Sequence, residues 1–294
     1  MLTRKFNDHY LKRIYKFCCL EDVRINKPGN VSINSPIIGM DIKKFIRASE
    51  ISSEILCKKN LTFEEKIFNS CKKCLLELDS NYNLGIILLC APILEIAQTQ
   101  FLNSKNLRKK LIRLLKDIDE RGGGLILNAI KISKPGGIDN YKGKGDVNNL
   151  TEKFNFKEIM SIGAKKDRIS ECYDTYFEEI FNLGIPFFKK LKKRFTKDFS
   201  FQCLFIFYLS IKTDSHIQRK FGHTKAKTIQ RKAIFISKYI FTEESKKTKK
   251  VILKFDHYLK KKNLNPGTCA DLTVTTLLIH KITDIVRPSN LSNF

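Results

Sequence analysis

The sequence predicts an all-α protein with a single multi-helix domain over residues 1–294. Hydrophobic residues recur at three- and four-residue intervals along most of the chain, as on one face of a helix. No segment shows a convincing two-residue alternation, which is the pattern of a half-buried strand. The 42% of hydrophobic residues, among them 22 Phe, supply enough apolar surface for a sizeable core.

Hydrophobic periodicity predicts most helices directly. The clearest helix runs from Phe63 to Leu78, where Thr62 suits the N-cap and Glu64 and Glu65 favour the N-terminal dipole. The segment Phe199–Ile211 is short enough for a strand, but its neighbours favour a buried helix. Further helical stripes are predicted over residues 41–58, 84–102, 106–132, 155–182, 225–241 and 268–284.

Three polar stretches rich in Gly and Pro interrupt this pattern, at residues 27–31, 134–146 and 263–268. Gly and Pro end helices, and Gly permits backbone conformations that other residues avoid. No low-complexity linker separates two distinct halves and no repeat of fixed period is present. One helical domain, with its functional loops at these interruptions, is therefore the simplest prediction.

The apolar runs and the cysteines indicate a soluble, cytoplasmic protein. The longest apolar runs, Leu84–Leu94 and Phe199–Ile211, are too short to span a bilayer. Charged and hydrophobic residues alternate through Lys16, so no signal peptide is expected. The nine Cys are predicted to be reduced and buried, and the pair Cys71 and Cys74 lacks a second pair at zinc-site spacing.

The net charge of +25 invites comparison with nucleic-acid-binding proteins. However, 43 of the 55 basic residues are Lys and 12 are Arg, the residue favoured for forked phosphate and base contacts. The pattern favours solvated helix faces together with a small polyanionic substrate. Nucleic acid and an anionic membrane surface are the less favoured alternatives.

Two segments carry polar residues suited to a phosphorylated ligand. After Gly267, Thr268 suits a helix N-cap and Asp271 follows three residues later, an arrangement that either caps the helix or holds phosphate. In residues 214–220, a carboxylate, an imidazole and two cations either bind a metal-polyphosphate or form a capped, exposed helix. Spacing alone leaves both pairs of alternatives open.

Three further positions have a structural and a functional interpretation. Asn83 either caps the helix that follows it or contacts ribose. Asp167 and Arg168 form either a surface pair or part of a site. Asp146, after a glycine-rich loop that matches no phosphate-binding fingerprint, is a candidate metal ligand or base.

Five short motifs occur in order along the chain. They are Lys27-Pro-Gly-Asn-Val-Ser32, Asn83-Leu-Gly-Ile86, Pro135-Gly-Gly137, Asp214-Ser-His-Ile217 with Arg219-Lys220, and Leu264-Asn-Pro-Gly-Thr-Cys-Ala-Asp271. Taken together, they resemble the triphosphoribosyl-dephospho-CoA synthase family over roughly residues 20–285. The Asn-Leu-Gly-Ile and Asp-Ser-His-Ile forms are closer to the branch of methane- and methanol-metabolising microbes than to the citrate-lyase branch.

The resemblance implies a helical pentosyltransferase. It would move the 5-triphosphoribosyl group of ATP to the 2′-OH of 3′-dephospho-CoA and release adenine, with Mg²⁺ accompanying the ATP. It implies catalytic roles for Asp214, Asp271 and Asp167, and metal binding by Asp146 and Asp214. The implied substrate-binding residues are Lys27, Asn30, Asn83, Gly85, Arg168, Ser215, His216, Arg219, Lys220, Gly267 and Thr268.

One position departs from the family pattern. The family has a His shortly before a Gly-Met or Asp-Met step, where this chain has Ile37-Ile38-Gly39-Met40-Asp41, and His216 is the candidate to supply the imidazole. Two alternatives therefore stay open. One is a relative with another acceptor in one-carbon, methanopterin-type cofactor synthesis, and the other is a basic helical nucleic-acid-binding protein without turnover.

Overall fold

The computed structural model describes residues 6–140, 142–143, 145–149 and 155–284, and the all-α prediction is confirmed. Within these ranges the chain contains helices and one isolated bridge between Ser32 and Ser35, but no strand. The fourteen α-helices are α1 (Asp8–Arg24), α2 (Ile42–Leu56), α3 (Phe63–Leu78), α4 (Leu84–Ala97), α5 (Ser104–Lys116), α6 (Glu120–Ser133), α7 (Phe156–Ala164), α8 (Arg168–Asp174), α9 (Ile185–Lys192), α10 (Lys197–Ile211), α11 (Ser215–Phe221), α12 (His223–Ile240), α13 (Lys246–Lys261) and α14 (Gly267–Asp284).

The helix predicted at Phe63–Leu78 has the predicted bounds and cap. The Thr62 side chain accepts from the Glu65 amide, and the Glu65 side chain accepts from the Thr62 amide, which completes a capping box. The segment predicted as a buried helix at Phe199–Ile211 is also confirmed, as α10.

Two long predicted stripes are each divided into shorter helices. Residues 106–132 hold α5 and α6, because the Asp119 side chain accepts from the Gly122 amide and starts a new helix. Residues 155–182 hold α7, α8 and the first part of a π-helix at Glu179–Gly184. Asp167 makes the corresponding cap for α8 by accepting from the amides of Ile169 and Ser170.

Helices α4 and α14 form the centre of the main core and pack against each other. Twelve of the 14 residues of α4 are buried, as are 14 of the 18 residues of α14, so both are surrounded by other elements. Pro92 lies inside α4 and has no N–H to offer the Leu88 carbonyl one turn earlier. The Tyr173 hydroxyl donates to that carbonyl instead, at 2.7 Å, so the buried oxygen keeps a partner.

The nine cysteines are free thiols and all are buried, as predicted. Cys71 and Cys74 lie within α3 as part of its buried face. Among the described residues, no helix combines the length and hydrophobicity needed to cross a bilayer.

Candidate active site

The N-terminal ends of three helices, α8, α11 and α14, meet inside the molecule. Ser215 joins them, because its hydroxyl accepts from the Arg168 amide at 3.3 Å and donates to the Thr268 hydroxyl at 2.9 Å. Helix starts present unpaired amide groups and partial positive charge. Three segments that lie far apart in the sequence therefore meet at one junction of helix starts.

Asp214 caps two of these helices at once. Its Oδ1 accepts from the Ile217 amide at 3.0 Å within α11, and its Oδ2 accepts from the Cys269 amide at 2.8 Å in α14. The side chain is buried. The prediction that Thr268 is the N-cap of the last helix is wrong, because α14 begins at Gly267 and its first turn is capped by a carboxylate from another helix.

Asp271 lies on α14 against the start of α4. A Cβ at Gly85 would overlap the Asp271 carboxyl group, so this carboxyl can occupy its position because residue 85 has no side chain. Burial raises the pKa of Asp271 well above its usual range, and the nearby carboxylates of Asp22 and Asp214 raise it further. Asp271 therefore has the raised proton affinity expected of a general base or acid.

Lys27 and Asp22 form a buried ion pair beside Asp271. The Lys27 ammonium is fully buried, donates to the Asp22 carbonyl and lies 3.1 Å from the Asp22 Oδ1 atom. Burial lowers the pKa of Lys27, and the carboxylates of Asp22, Asp256 and Asp271 oppose that change. Asp22 was not among the predicted site residues. The sequence indicates it only by placing an acidic residue in the last turns of α1, where the helix dipole disfavours negative charge.

Asp256 on α13 holds the loop that follows Lys27. Its carboxylate accepts from the Gly29 amide at 2.8 Å and from the Ser35 hydroxyl at 2.5 Å. Gly29 has φ +76°, and a Cβ there would approach the Leu264 carbonyl oxygen to 2.5 Å, so both shape and conformation require glycine.

The same loop is tied to the start of α14 by a side-chain pair. The Asn30 amide donates to the Asn265 side-chain oxygen at 2.9 Å, two residues before α14 begins. The Lys27 motif and the Gly267 motif are thus neighbours in the folded chain.

The basic residues of α11 lie beside the glycine-rich loop. The Arg219 guanidinium forms an ion pair with Asp167 and donates to the Gly136 carbonyl at 3.3 Å. A Cβ at Gly136 would overlap the Lys220 side chain, and one at Gly137 would lie 2.8 Å from the Arg219 backbone. Both glycines therefore allow a close approach of this loop to α11.

His216 lies next to Gly267 at the start of α14. Burial lowers the pKa of His216 to about 4, with the Asp214 carboxylate opposing the change and the charges of Arg219 and Lys220 reinforcing it. The imidazole is neutral near pH 7 and offers hydrogen bonding without charge.

An apolar cleft of about 410 Å³ opens beside this cluster. Its volume is in the usual range for a small-molecule site, and its polar groups are few. Ile169 lies on the cleft wall and also against Gly85, so the Asp271 carboxyl lies close behind this part of the wall. The lining residues include Leu84, Leu88, Gly137, Ile138, Asp146, Ile159, Met160, Lys165, Lys166, Asp167, Ile169, Tyr173 and Arg219.

Two predicted substrate contacts point into the protein interior. The Asn83 amide donates to the Ala48 carbonyl at 3.1 Å and to the Ser52 hydroxyl at 3.0 Å. Asn83 occupies the N-cap position of α4 as predicted, but its side chain makes no cap hydrogen bond, and the Asn81 side chain accepts from the Leu84 amide instead. Asn83 thus fastens the start of α4 to α2.

Arg168 is also directed inward. Its guanidinium forms an ion pair with Glu179 and donates to the Tyr208 carbonyl at 3.0 Å and the Cys269 sulfur at 3.2 Å. The side chain is 3% exposed, which separates it from the cleft surface. Arg168 therefore supports the first turn of α14 from beneath.

The two candidate metal ligands have different surroundings and different hydrogen-bond partners. Asp146 lines the cleft and its Oδ1 accepts from the Asn148 amide at 3.0 Å, whereas both oxygens of Asp214 accept from helix amides. Within the part of the chain that the structure describes, no three His, Cys, Asp or Glu side chains are grouped to hold a metal ion. Mg²⁺ is commonly held by one or two carboxylates together with substrate phosphates, and the carboxylates beside the cleft fit that arrangement.

These features are typical of a helical enzyme for a small phosphorylated substrate, with an apolar cleft beside a cluster of carboxylates and cations. The family model CitG, described as ATP:dephospho-CoA triphosphoribosyl transferase, matches residues 8–289. The chain belongs to this family, and the pentosyltransferase class predicted from the motifs is confirmed.

A solved structure has the same fold. A crystal structure of a proposed triphosphoribosyl-dephospho-CoA synthase from Archaeoglobus fulgidus superposes with a TM-score of 0.64 at 19% sequence identity. The match covers 83% of this chain and 99% of that one. No curated protein matches this chain at a significant level.

Proposed function

We propose that this protein transfers the 5-triphosphoribosyl group of ATP to the 2′-OH of 3′-dephospho-CoA and releases adenine. The family supports this reaction, and the observation that carries the site assignment is the position of Asp271. Its carboxyl group lies in the space left by Gly85, next to Ile169 of the cleft wall, and its pKa is raised.

In the proposed reaction the bond from the ribose C1′ of ATP to adenine breaks, and a bond from C1′ to the acceptor oxygen forms. Asp271 takes the proton of the acceptor hydroxyl, and adenine leaves with the electron pair of the broken bond and then gains a proton. A base is most effective when its pKa approaches the working pH, so the raised pKa of Asp271 suits the role.

A second carboxylate acts on the sugar. Displacement at C1′ passes through an oxocarbenium-like centre, which negative charge stabilises. Asp22 lies close enough to Asp271 to raise its pKa, and its own charge is held in place by Lys27. We assign Asp22 to this electrostatic role.

The triphosphate remains on the product and therefore needs cations throughout the reaction. Lys165, Lys166 and Arg219 line the cleft, and the exposed Lys220 follows Arg219 on α11. We propose that these residues bind the phosphates. Asp146 or Asp167 would hold the Mg²⁺ that accompanies ATP, and the ion would neutralise part of the phosphate charge. Arg168 and Asn83 act indirectly, by fixing the first turns of α14 and α4.

The direct test incubates the protein with ATP, Mg²⁺ and 3′-dephospho-CoA and measures free adenine and product mass. We expect adenine together with an adduct heavier by one triphosphoribosyl unit. Adenine without that adduct would contradict the acceptor, and a folded protein that releases no adenine would contradict the transfer itself.

The site assignment is tested by Asp271→Asn, which keeps the shape of the side chain and removes the base. We expect a loss on the order of 10²–10⁴ in the rate of adenine release, the usual contribution of a positioned acid–base group. The matched control is Asp284→Asn at the end of the same helix, where the side chain is 59% exposed. Equal activity of the two variants would contradict the role of Asp271.

A further inference from the structure

Helices α12 and α13 form an apolar groove on the outside of the protein, away from the cleft described above. The two helices are joined by the short connection 241–245 and pack on each other. The groove between them has a volume of about 580 Å³. Its lining residues are Thr228, Arg231, Lys232, Phe235, Ile236, Val251, Lys254, Phe255 and Tyr258.

The lining residues recur at helical intervals on both sides of the groove. On α13, for example, Val251, Lys254, Phe255 and Tyr258 are spaced by three, one and three residues. Phe235 is 61% exposed, so an aromatic side chain of this surface faces solvent. A continuous stripe of this kind on each of two packed helices is the surface that a third helix would cover.

The charge along the two helices themselves is almost entirely positive. Helices α12 and α13 carry twelve Lys and Arg residues and one acidic residue, Asp256. Asp256 is buried and directed at the Gly29 loop, away from the groove. Lys232 lies over the Tyr258 ring at 4.7 Å from its centroid, which places a cation directly at the apolar floor.

We propose that this groove binds an acidic amphipathic helix of a partner protein. The apolar floor would take the hydrophobic stripe of that helix, and the surrounding Lys and Arg residues would pair with its acidic flanks. The stripe of α12 from Thr228 to Ile236 is about 12 Å long, a little over two turns of helix. A bound helix of two to three turns therefore fills it.

The shape and chemistry of the groove favour a helix over other polyanions. Phosphate groups of nucleic acid would meet Phe235 and Tyr258 on the floor and would leave that apolar surface unpaired. A lipid bilayer presents a broad surface, whereas this groove is a concave channel between two helices. A helix about 10 Å across matches both the apolar floor and the charged rims.

The test uses a fluorescently labelled 18-residue peptide with Leu at helical intervals and Glu on the flanks, at physiological salt. A scrambled peptide of the same composition keeps the charge and loses the apolar face. We expect the amphipathic peptide to bind at least tenfold more tightly than the scrambled one. Equal binding of the two peptides would overturn the proposal.

Variants then locate the binding surface. We expect Phe235→Asp to weaken peptide binding at least tenfold, and the matched control Leu76→Asp, at a 73% exposed position on α3, to leave it unchanged. Adenine release by Phe235→Asp should equal that of the unmodified protein, which shows that the fold and the cleft are intact. Peptide binding that survives Phe235→Asp would overturn the proposal.

Phosphatidylserine vesicles and a DNA duplex are tested in parallel. We expect Phe235→Ala, which removes the apolar side chain without adding charge, to leave the binding of either unchanged at the same salt concentration. Binding of vesicles or DNA that depends on Phe235, together with no binding of the amphipathic peptide, would overturn the helix as the occupant.

Discussion

The cluster around Asp271 and the groove between α12 and α13 use charge in opposite ways. In the cluster, carboxylates and cations are buried together, and each has a specific partner or shifts the pKa of a neighbour. In the groove, cations outnumber acids by twelve to one along two helices and mostly face solvent. Helices α12 and α13 therefore supply a large part of the net charge of +25, whereas the site is a mixed group of acidic and basic side chains.

The charged residues of the two regions also differ in their effect on the free energy of folding. A buried carboxylate is unfavourable for folding unless it is protonated or paired. Asp271, whose pKa is raised, therefore lowers stability when it is charged, whereas Asp214 is stabilising because both its oxygens accept from helix amides. Exposed lysines on α12 and α13 cost little, because water solvates them. Substitutions in the two regions should therefore differ in kind as well as in size.

The largest effect on stability is expected at Asp214. Asp214→Ala removes the cap of α11 and the acceptor of the Cys269 amide at the same time. Two buried amides lose their partner, so we expect a destabilisation of about 3–4 kcal/mol. Denaturant unfolding measures it, and a loss below about 1 kcal/mol would contradict the double cap.

A large effect on activity is expected at Gly85. In Gly85→Ala the new methyl group would overlap the Asp271 carboxyl and displace it, and small displacements of this kind cost about 100-fold in rate. The control is Gly124→Ala on α6, where no atom lies within 4 Å and alanine should stabilise the helix by about 0.5–1 kcal/mol. Full activity in Gly85→Ala would show that the carboxyl position is not critical.

The pH dependence of stability sharpens the contrast. Because the folded-state pKa of Asp271 is raised, folding loses stability as the pH rises from the unfolded value near 4 through the folded one. Asp271→Asn removes that loss, so its melting temperature relative to the unmodified protein should increase between pH 5 and pH 8. Asp284→Asn on the same helix should show no such trend. The same change of melting temperature with pH in all three proteins would contradict the burial of a charged Asp271.

The smallest effect is expected in the groove. Lys254→Glu should change the free energy of unfolding by no more than about 0.5 kcal/mol, because its side chain is exposed. It should nevertheless weaken the binding of the acidic peptide through like charge. A strongly destabilised Lys254→Glu protein would mean that this face contributes to folding.

Much of the fold was predictable because its signals are local. Thr62 and Glu65 are three residues apart, and their capping box follows from that spacing. The site is predictable in part: the five motifs converge, and Lys27, Gly85 and Asp271 are neighbours. Their individual roles in catalysis stay predictions.

The predictions that differ from the structure concern side chains whose partners are set by tertiary structure. Arg168 turns inward because Glu179 faces it, after two consecutive left-handed residues, Tyr176 and Phe177, and at the start of a π-helix. The cap of α14 that was expected from Thr268 is made by Asp214, which lies more than 50 residues earlier in the chain. Neither partner can be read from spacing along the sequence.

The buried cysteines can report where the folded protein opens by local unfolding. Burial raises the pKa of each of the nine thiols, so the folded chain holds them in the unreactive protonated form. Cys269 lies in the first turn of α14 beside Arg168, whereas Cys203 lies in α10. The order in which a thiol reagent labels individual cysteines therefore shows which helices separate first during local unfolding.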